Sequence, residues 1–388
     1  MNPQSIQNQK TKEFFVLSYN RSIERFSHNV KPFIPLIKIT LPLLVVILIT
    51  CACAPGASLQ ETVTPSVPTA AVQGWYTIYF TDPSSLTASS YRGGPDETLA
   101  AAIDQARISV DVAIYDLNLW SVRDALISAY RRGVDVRLVT ESDNMDEQEV
   151  QEVKEAGVEV LGDRQEGLMH DKFVIIDRSE VWTGSMNFTT GAGYLDNNNL
   201  IRLQSSKLAE DYTHEFEQML IDNNFGANKT PGTPNPTLRV NGSLIEVYFS
   251  PEDGTLDHIL TAINAAQESI SFMAYSFTSD ELAEAMIERA KSGVTMSGVF
   301  DEDQYHSNAG TEFDTLKNAG VDVRLDGNPR LMHHKVIIID HQVVITGSYN
   351  FSNNAEQNND ENTLIIHNQD IATQFLAEFQ LIYNMAQR

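Results

Sequence analysis

The chain repeats itself. IYFTDP at 78–83 returns as VYFSPE at 247–252, and SVDVAIYDL (109–117) as SISFMAYSF (269–277). GVDVRLVTE (133–141) returns as GVTMSGVFDE (293–302), AGVEVL (156–161) as AGVDVRL (319–325), and LMHDKFVIID (168–177) as LMHHKVIIID (331–340). The offset is 160 residues in mid-unit and 163 at its end, so insertions between the copies are small. A sequence that recurs at this length must be satisfied by one local fold built twice. The repeat divides the chain into an N-terminal signal or membrane anchor (1–54), a tether (55–73), a first unit (74–225), a connector (226–243) and a second unit (244–388).

Each unit has the same rhythm. An amphipathic stretch (Leu99, Ile103 and Ala106; Leu256, Ile259, Leu260 and Ile263) precedes a β-rich run. A helical stretch follows, Trp120 to Arg132 and Asp280 to Ser292, and is stopped by Gly133 or Gly293. A second strand then ends on an acid, Glu141 or Asp301, and a third helix and a short strand lead to FVIID and VIIID. Strands alternating with helices predict an α/β fold: mixed sheets covered by helices, in two α-β-α sandwich units. The apolar motif strands are expected to be central and buried on both faces. The last helix of each unit, near Ala209–Ile221 and Ile371–Met385, is expected to pack across its sheet.

The chemistry sits around those strands. His170-x-Lys172-x4-Asp177-x6-Gly184-Ser185-x-Asn187 is matched, spacing for spacing, by His333-x-Lys335-x4-Asp340-x6-Gly347-Ser348-x-Asn350. Residues two apart on a strand share a face, so each His and Lys can reach one ligand together, as can each Ser and Asn. A Gly before each Ser permits close backbone approach. Two such sets offer a nucleophile on one side of a phosphorus atom and an acid on the other, with ammonium groups for the charge on its oxygens.

The double motif resembles the signature of the phospholipase D superfamily, and the resemblance covers nearly everything after the tether. It implies two units related by a pseudo-twofold axis around one site. It implies His170 as nucleophile, forming a phosphohistidine, and His333 as the acid that protonates the leaving alkoxide and then activates water or an alcohol. Lys172 and Lys335 complete the catalytic set, Ser185, Asn187, Ser348 and Asn350 are expected to bind phosphate, and no metal or other cofactor is implied. Asp177 and Asp340 belong to the motif, but they lie five residues past the lysines and are expected to brace the fold. In the family an acid downstream of the motif orients a catalytic imidazole. Here Glu361 fills that position in the second copy, and Asn198 aligns with it in the first. His334, the x residue of its motif, is expected to face away from the ligand. Tyr115 and Tyr275 read as core packing ahead of cleft lining, and Asp301, Glu302 and Asp303 as a solvated acidic loop.

Charge and the N-terminus bear on the substrate. The formal net charge is −25. Bases outnumber acids before residue 54, so the body is more acidic still. Such a body repels polyanions and disfavours nucleic acid as a partner. Ile39 to Ala54 is an uncharged, mostly apolar run of signal-peptide or anchor length, ending at the only cysteines, Cys51 and Cys53. Bases before the run and acids after it place the body outside the cytoplasm. Cys53, or Cys51, is a lipidation candidate as in a bacterial lipoprotein; the alternative is an uncleaved single-pass anchor. Residues 55–73, rich in Pro, Ser, Thr and Ala, read as an extended tether. The favoured function is hydrolysis or transphosphatidylation of phospholipid head groups at the cell envelope. Behind it stand an endonuclease, a cardiolipin-synthase-like transferase and an inactive phosphate-binding scaffold. Both motifs lie on one chain, so a monomer is expected.

Overall fold

The computed structural model describes residues 74–386. The expected anchor, the tether, and Cys51 and Cys53 lie outside the described residues. Among the described residues no helix is long and apolar enough to cross a membrane.

The first repeat contains β1 (Tyr76–Phe80), α1 (Pro95–Gln105), β2 (Ser109–Ile114), α2 (Trp120–Arg131), β3 (Asp135–Thr140), α3 (Gln148–Glu155) and β4 (Glu159–Gly162). It continues with β5 (Lys172–Ile176), β6 (Glu180–Gly184), α4 (Thr190–Tyr194), β7 (Asn199–Gln204) and α5 (Ser206–Leu220). The connector adds a strand, β8 (Thr237–Val240). The second repeat opens with β9 (Ser243–Ser250), α6 (Thr255–Ala265), β10 (Ser269–Ala274), α7 (Asp280–Lys291), β11 (Thr295–Phe300), α8 (Glu302–Ser307), α9 (Phe313–Asn318) and β12 (Asp322–Leu325). It closes with β13 (Lys335–Ile339), β14 (Val343–Gly347), α10 (Asn353–Gln357), β15 (Glu361–His367) and α11 (Gln369–Met385).

The two sheets have the same topology. Their orders are β1-β7-β6-β5-β2-β3-β4 and, from the matching edge, β9-β15-β14-β13-β10-β11-β12, with β8 added beyond β9. β2, β3 and β4 are parallel, as are β10, β11 and β12, while β5 and β13 run antiparallel to β2 and β10. Both sheets are therefore mixed, with the motif strand at the centre.

Alternation along the motif strands explains the layers. Val174 and Ile176 pack outward with Leu99, Ile103, Val122 and Leu126 of α1 and α2. Ile337 and Ile339 do the same with α6 and α7. Phe173 and Ile175 of one repeat, and Val336 and Ile338 of the other, share a single inner core with Tyr212 and Phe216 of α5 and Phe375 and Phe379 of α11. The terminal helices thus lie in the layer between the sheets. Ser205 and Asn368 cap them, accepting from Leu208 N at 3.3 Å and Ile371 N at 2.9 Å.

Candidate active site

Each His-x-Lys pair enters the site from the loop before its motif strand, and each loop is pinned to both repeats. His170 N donates to Asp360 O at 3.0 Å, and Asp360 N to Leu168 O at 2.8 Å. In mirror fashion His333 N donates to Asn197 O at 2.9 Å, and Asn197 N to Leu331 O at 2.8 Å. The acids that end β3 and β11 hold the same loops: Glu141 accepts from Met169 N at 3.0 Å and Asp301 from Met332 N at 2.9 Å. Asp301 is buried and also caps α8, accepting from Gln304 N at 2.8 Å. This corrects its reading as part of a solvated loop; in the sequence it looked like the first member of an acidic run.

The orienting groups cross over. Glu361, in the second repeat, hydrogen-bonds His170 Nδ1 of the first at 2.8 and 2.9 Å. Asn198, in the first, faces His333 Nδ1 of the second through its Oδ1 at 2.9 Å. The Asn198 amide is fixed, because its Nδ2 donates to Ala192 O at 3.0 Å. His333 must therefore carry its proton on Nδ1, and the carboxylate imposes the same tautomer on His170. Both rings then present an Nε2 lone pair.

The serines depart from expectation. Ser185 Oγ donates to Asn198 Oδ1 at 2.9 Å and accepts from Asn199 N at 3.1 Å. Ser348 hydrogen-bonds Glu361 and accepts from Asn362 N at 3.0 Å. Both are fully buried. They were expected to bind phosphate, and instead they hold the groups that orient the histidines. Asn187 and Asn350 each keep a buried amide Oδ1 with no hydrogen-bond partner among the described residues. Gly184 and Gly347 have φ of +146° and +154°, and a Cβ on Gly347 would lie 2.1 Å from Asn362 O. The turn into each serine requires glycine for that reason.

Asp177 and Asp340 do not join the histidines. With Arg178 and His341 they open the three-residue connections between β5 and β6 and between β13 and β14, with φ near +50° at all four. Asp177 accepts from the backbone N–H of Arg107, Ile108 and Ser109 at 2.7–3.1 Å. Asp340 does so from Gln267, Glu268 and Ser269 at 2.7–2.8 Å. They belong to the motif, but they lie apart from the histidines and hold backbone N–H groups at the start of β2 and β10. Tyr115 and Tyr275 do line the site. Their ring centroids lie 5.1 Å from His170 and 4.5 Å from His333, and Lys172 and Lys335 lie over the same rings.

Behind the histidines is a polar seam that sequence reasoning missed. Asn362 reaches into the first repeat: its Nδ2 donates to Asp171 at 2.7 Å, and its Oδ1 accepts from Thr183 at 2.7 Å and Tyr212 at 3.2 Å. Asn199 mirrors it, facing His334 Nδ1 with Nδ2 at 3.1 Å and accepting from Thr346 at 3.1 Å. His334 and Asp171 therefore point into the inner layer, away from the cleft. The signal was available, since Asn199/Asn362 and Thr183/Thr346 repeat at the motif's own offset of 163.

The electrostatics suit an anion. His170 and His333 are 7% and 6% exposed, Lys172 and Lys335 0% and 1%. Burial, then Lys172 and Lys335, hold the His170 imidazole well below its usual value; burial and the same two lysines do so for His333. Burial lowers Lys172 to about 8 despite Glu361 and Asp171, and holds Lys335 down further with Lys172 adding to it. Burial lifts Glu361 to about 7 against the pull of Lys172. The crossed hydrogen bonds of Glu361 to His170 and Asn198 to His333 bring the two dyads together across the repeats. Two lysines buried beside two imidazoles can receive a negative group.

The chain matches the family described as "Cardiolipin synthase, PLD-like domain" over residues 99–220 and 259–383, once per repeat. It is 37% identical over 131 residues to human mitochondrial cardiolipin hydrolase, covering 34% of this chain and 52% of that one. It is 34% identical over 134 residues to phospholipase D of Rickettsia conorii (strain ATCC VR-613 / Malish 7), covering 34% and 66%. The chain spans about half the length of the cardiolipin hydrolases it matches. The crystal structure of phosphatidylserine synthase from Haemophilus influenzae Rd KW20 covers 75% of this chain and 84% of that one, with a TM-score of 0.59 at 14% identity, a likeness of fold.

Proposed function

Because the chain belongs to the phospholipase D superfamily, with both repeats matched, we propose that it is a phosphodiesterase that cleaves phospholipid head groups through a phosphohistidine. The observation that carries this reading is the crossed pair of imidazoles, each carrying its Nδ1 proton toward an acceptor from the other repeat. His170 Nε2 attacks phosphorus, the P–O bond to the head group breaks, and protonated His333 gives its proton to the departing alkoxide. His333 then takes a proton from water, whose oxygen displaces His170 and releases the phosphomonoester. Glu361 steadies the positive charge that develops on His170, and Lys172 and Lys335 face the phosphoryl oxygens. Asn187 and Asn350 complete the phosphate site. An alcohol in place of water gives transphosphatidylation.

A lipid substrate is supported by the acidic chain and by the names of the relatives, cardiolipin hydrolase and phospholipase D. The apolar run at 39–54 and Cys51 and Cys53 support tethering of the catalytic body at the outer face of a membrane, which fractionation of the full chain tests. With both half-sites on one chain, the working unit is a monomer. The decisive assay compares wild type with His170→Ala on bis-p-nitrophenyl phosphate, then on phosphatidylcholine, phosphatidylglycerol, cardiolipin and single-stranded DNA. Wild type is expected to cleave the diester and the lipids, and His170→Ala to lose about 10⁴-fold or more in kcat. Equal inertness of the two would leave a phosphate-binding scaffold; cleavage of DNA alone would make the protein a nuclease.

A further inference from the structure

The two halves of the site are symmetric in backbone but not in charge. Behind His170 lie Asp171, Glu215, Glu252, Asp360 and Glu361, all buried or nearly so. At the offset of 163 the second half has His334 for Asp171, Asn197 for Asp360 and Asn198 for Glu361, and keeps only Glu378 for Glu215. In that half Asn197 Oδ1 accepts from Asn328 at 2.7 Å, and Glu378 lies 3.5 Å from His334 Nε2. In the His170 half Lys172 faces Glu361 and Asp171, which leaves Glu215, Glu252 and Asp360 to another cation.

That cation comes from the connector. Lys229 is fully buried at its ammonium, which lies 3.0 Å from Asp360 and 3.4 Å from Glu252, is paired with Glu215, and donates to Ser250 O at 3.4 Å. Asp360 also accepts from Gly226 N at 2.7 Å. The same residue exchanges two backbone hydrogen bonds with the His170 loop and precedes Glu361, the partner of His170. We propose that Lys229 is a positioning residue: as counter-ion to Asp360 it holds the start of β15 where Glu361 meets His170. This inference rests on the phosphodiesterase reading for its consequence in turnover, but not for its geometry.

The physical reason is the cost of a buried anion without a partner. Burial pushes Asp360 up to about 7 even against the pull of Lys229, and holds Glu215 well above the carboxylate range. Without the ammonium, Asp360 must take up a proton or leave. Either outcome disturbs the segment that carries Glu361.

The test uses the full chain and follows the His170 Nδ1–H proton resonance, assigned by its loss in His170→Asn. Lys229→Met is expected to lose or shift it strongly, with kcat on bis-p-nitrophenyl phosphate falling roughly 10- to 100-fold and KM little changed. Lys229→Met/Asp360→Asn, which installs the asparagine that the other half carries as Asn197, is expected to recover both. The proposal is overturned if Lys229→Met keeps the wild-type resonance and kcat. It is equally overturned if the double variant folds, as shown by an unmoved His333 signal, and still lacks the His170 resonance; this outcome stands if Lys229→Met alone fails to fold. An inert wild-type enzyme would sink the phosphodiesterase reading, while the resonance would still decide the role of Lys229.

Discussion

At the residue scale, one substitution between the copies divides the labour of the two histidines. A carboxylate behind His170 stabilises the ring once Nε2 is bonded to phosphorus; an amide behind His333 cannot, so that ring gives up its proton more readily. The attacking ring must start neutral and the acid must start protonated. Both pKa values are lowered, first by burial and then by the lysines. The protonated form of His333 therefore thins out as pH rises, and kcat/KM is expected to peak below 6.5 and fall toward alkaline pH. Asn198→Asp places a negative charge on His333 Nδ1 and raises its pKa. The alkaline limb should move up by roughly one unit or more. A pH–rate profile of both enzymes checks this, and a limb that stays in place in Asn198→Asp would mean that His333 is not the acid.

At the element scale, the motif aspartate builds the hairpin that presents the chemistry. Asp177 closes the β5–β6 turn at φ 51° and ties it to the backbone before β2. Asp177→Ala strands those N–H groups and is expected to lower unfolding free energy by about 1–3 kcal/mol. Because Asp177 touches neither histidine nor lysine, kcat of the folded fraction should stay near wild type. Urea unfolding and kinetics on the same preparation check both halves of this expectation; a large fall in kcat without loss of stability would return Asp177 to the catalytic group.

At the scale of the whole molecule, the repeats share one core, because the inner faces of both sheets close over α5 and α11 together, and they are expected to unfold together. Phe375 of α11 packs edge-on against Phe80 of the first repeat, with ring centroids 5.2 Å apart. Phe375→Ala should cost about 3–5 kcal/mol. All three tryptophans, Trp75, Trp120 and Trp182, lie in the first repeat. Their fluorescence should therefore shift to lower urea together with far-UV circular dichroism, although the substitution is in the second repeat. A fluorescence transition left in place would show two independently stable halves.

Much of this was legible in the amino-acid order. Duplication, the alternation of strands and helices, and two identically spaced motifs are local patterns, and local patterns follow from backbone geometry and side-chain periodicity. They led to the α/β class, the central motif strands and the histidine–lysine pairs. Contacts across the repeats were not legible, because residues 135–191 positions apart meet only when the inner faces pack. That packing assigned Glu361 to His170 and Asn198 to His333; within each repeat, the folded strands and loops brought the serines to the orienting groups and Tyr115 and Tyr275 onto the imidazoles. The packing of the repeats also buried Lys229 of the connector among carboxylates from both. Burial is what gives each of these polar groups a definite partner, and burial is a property of the packed molecule.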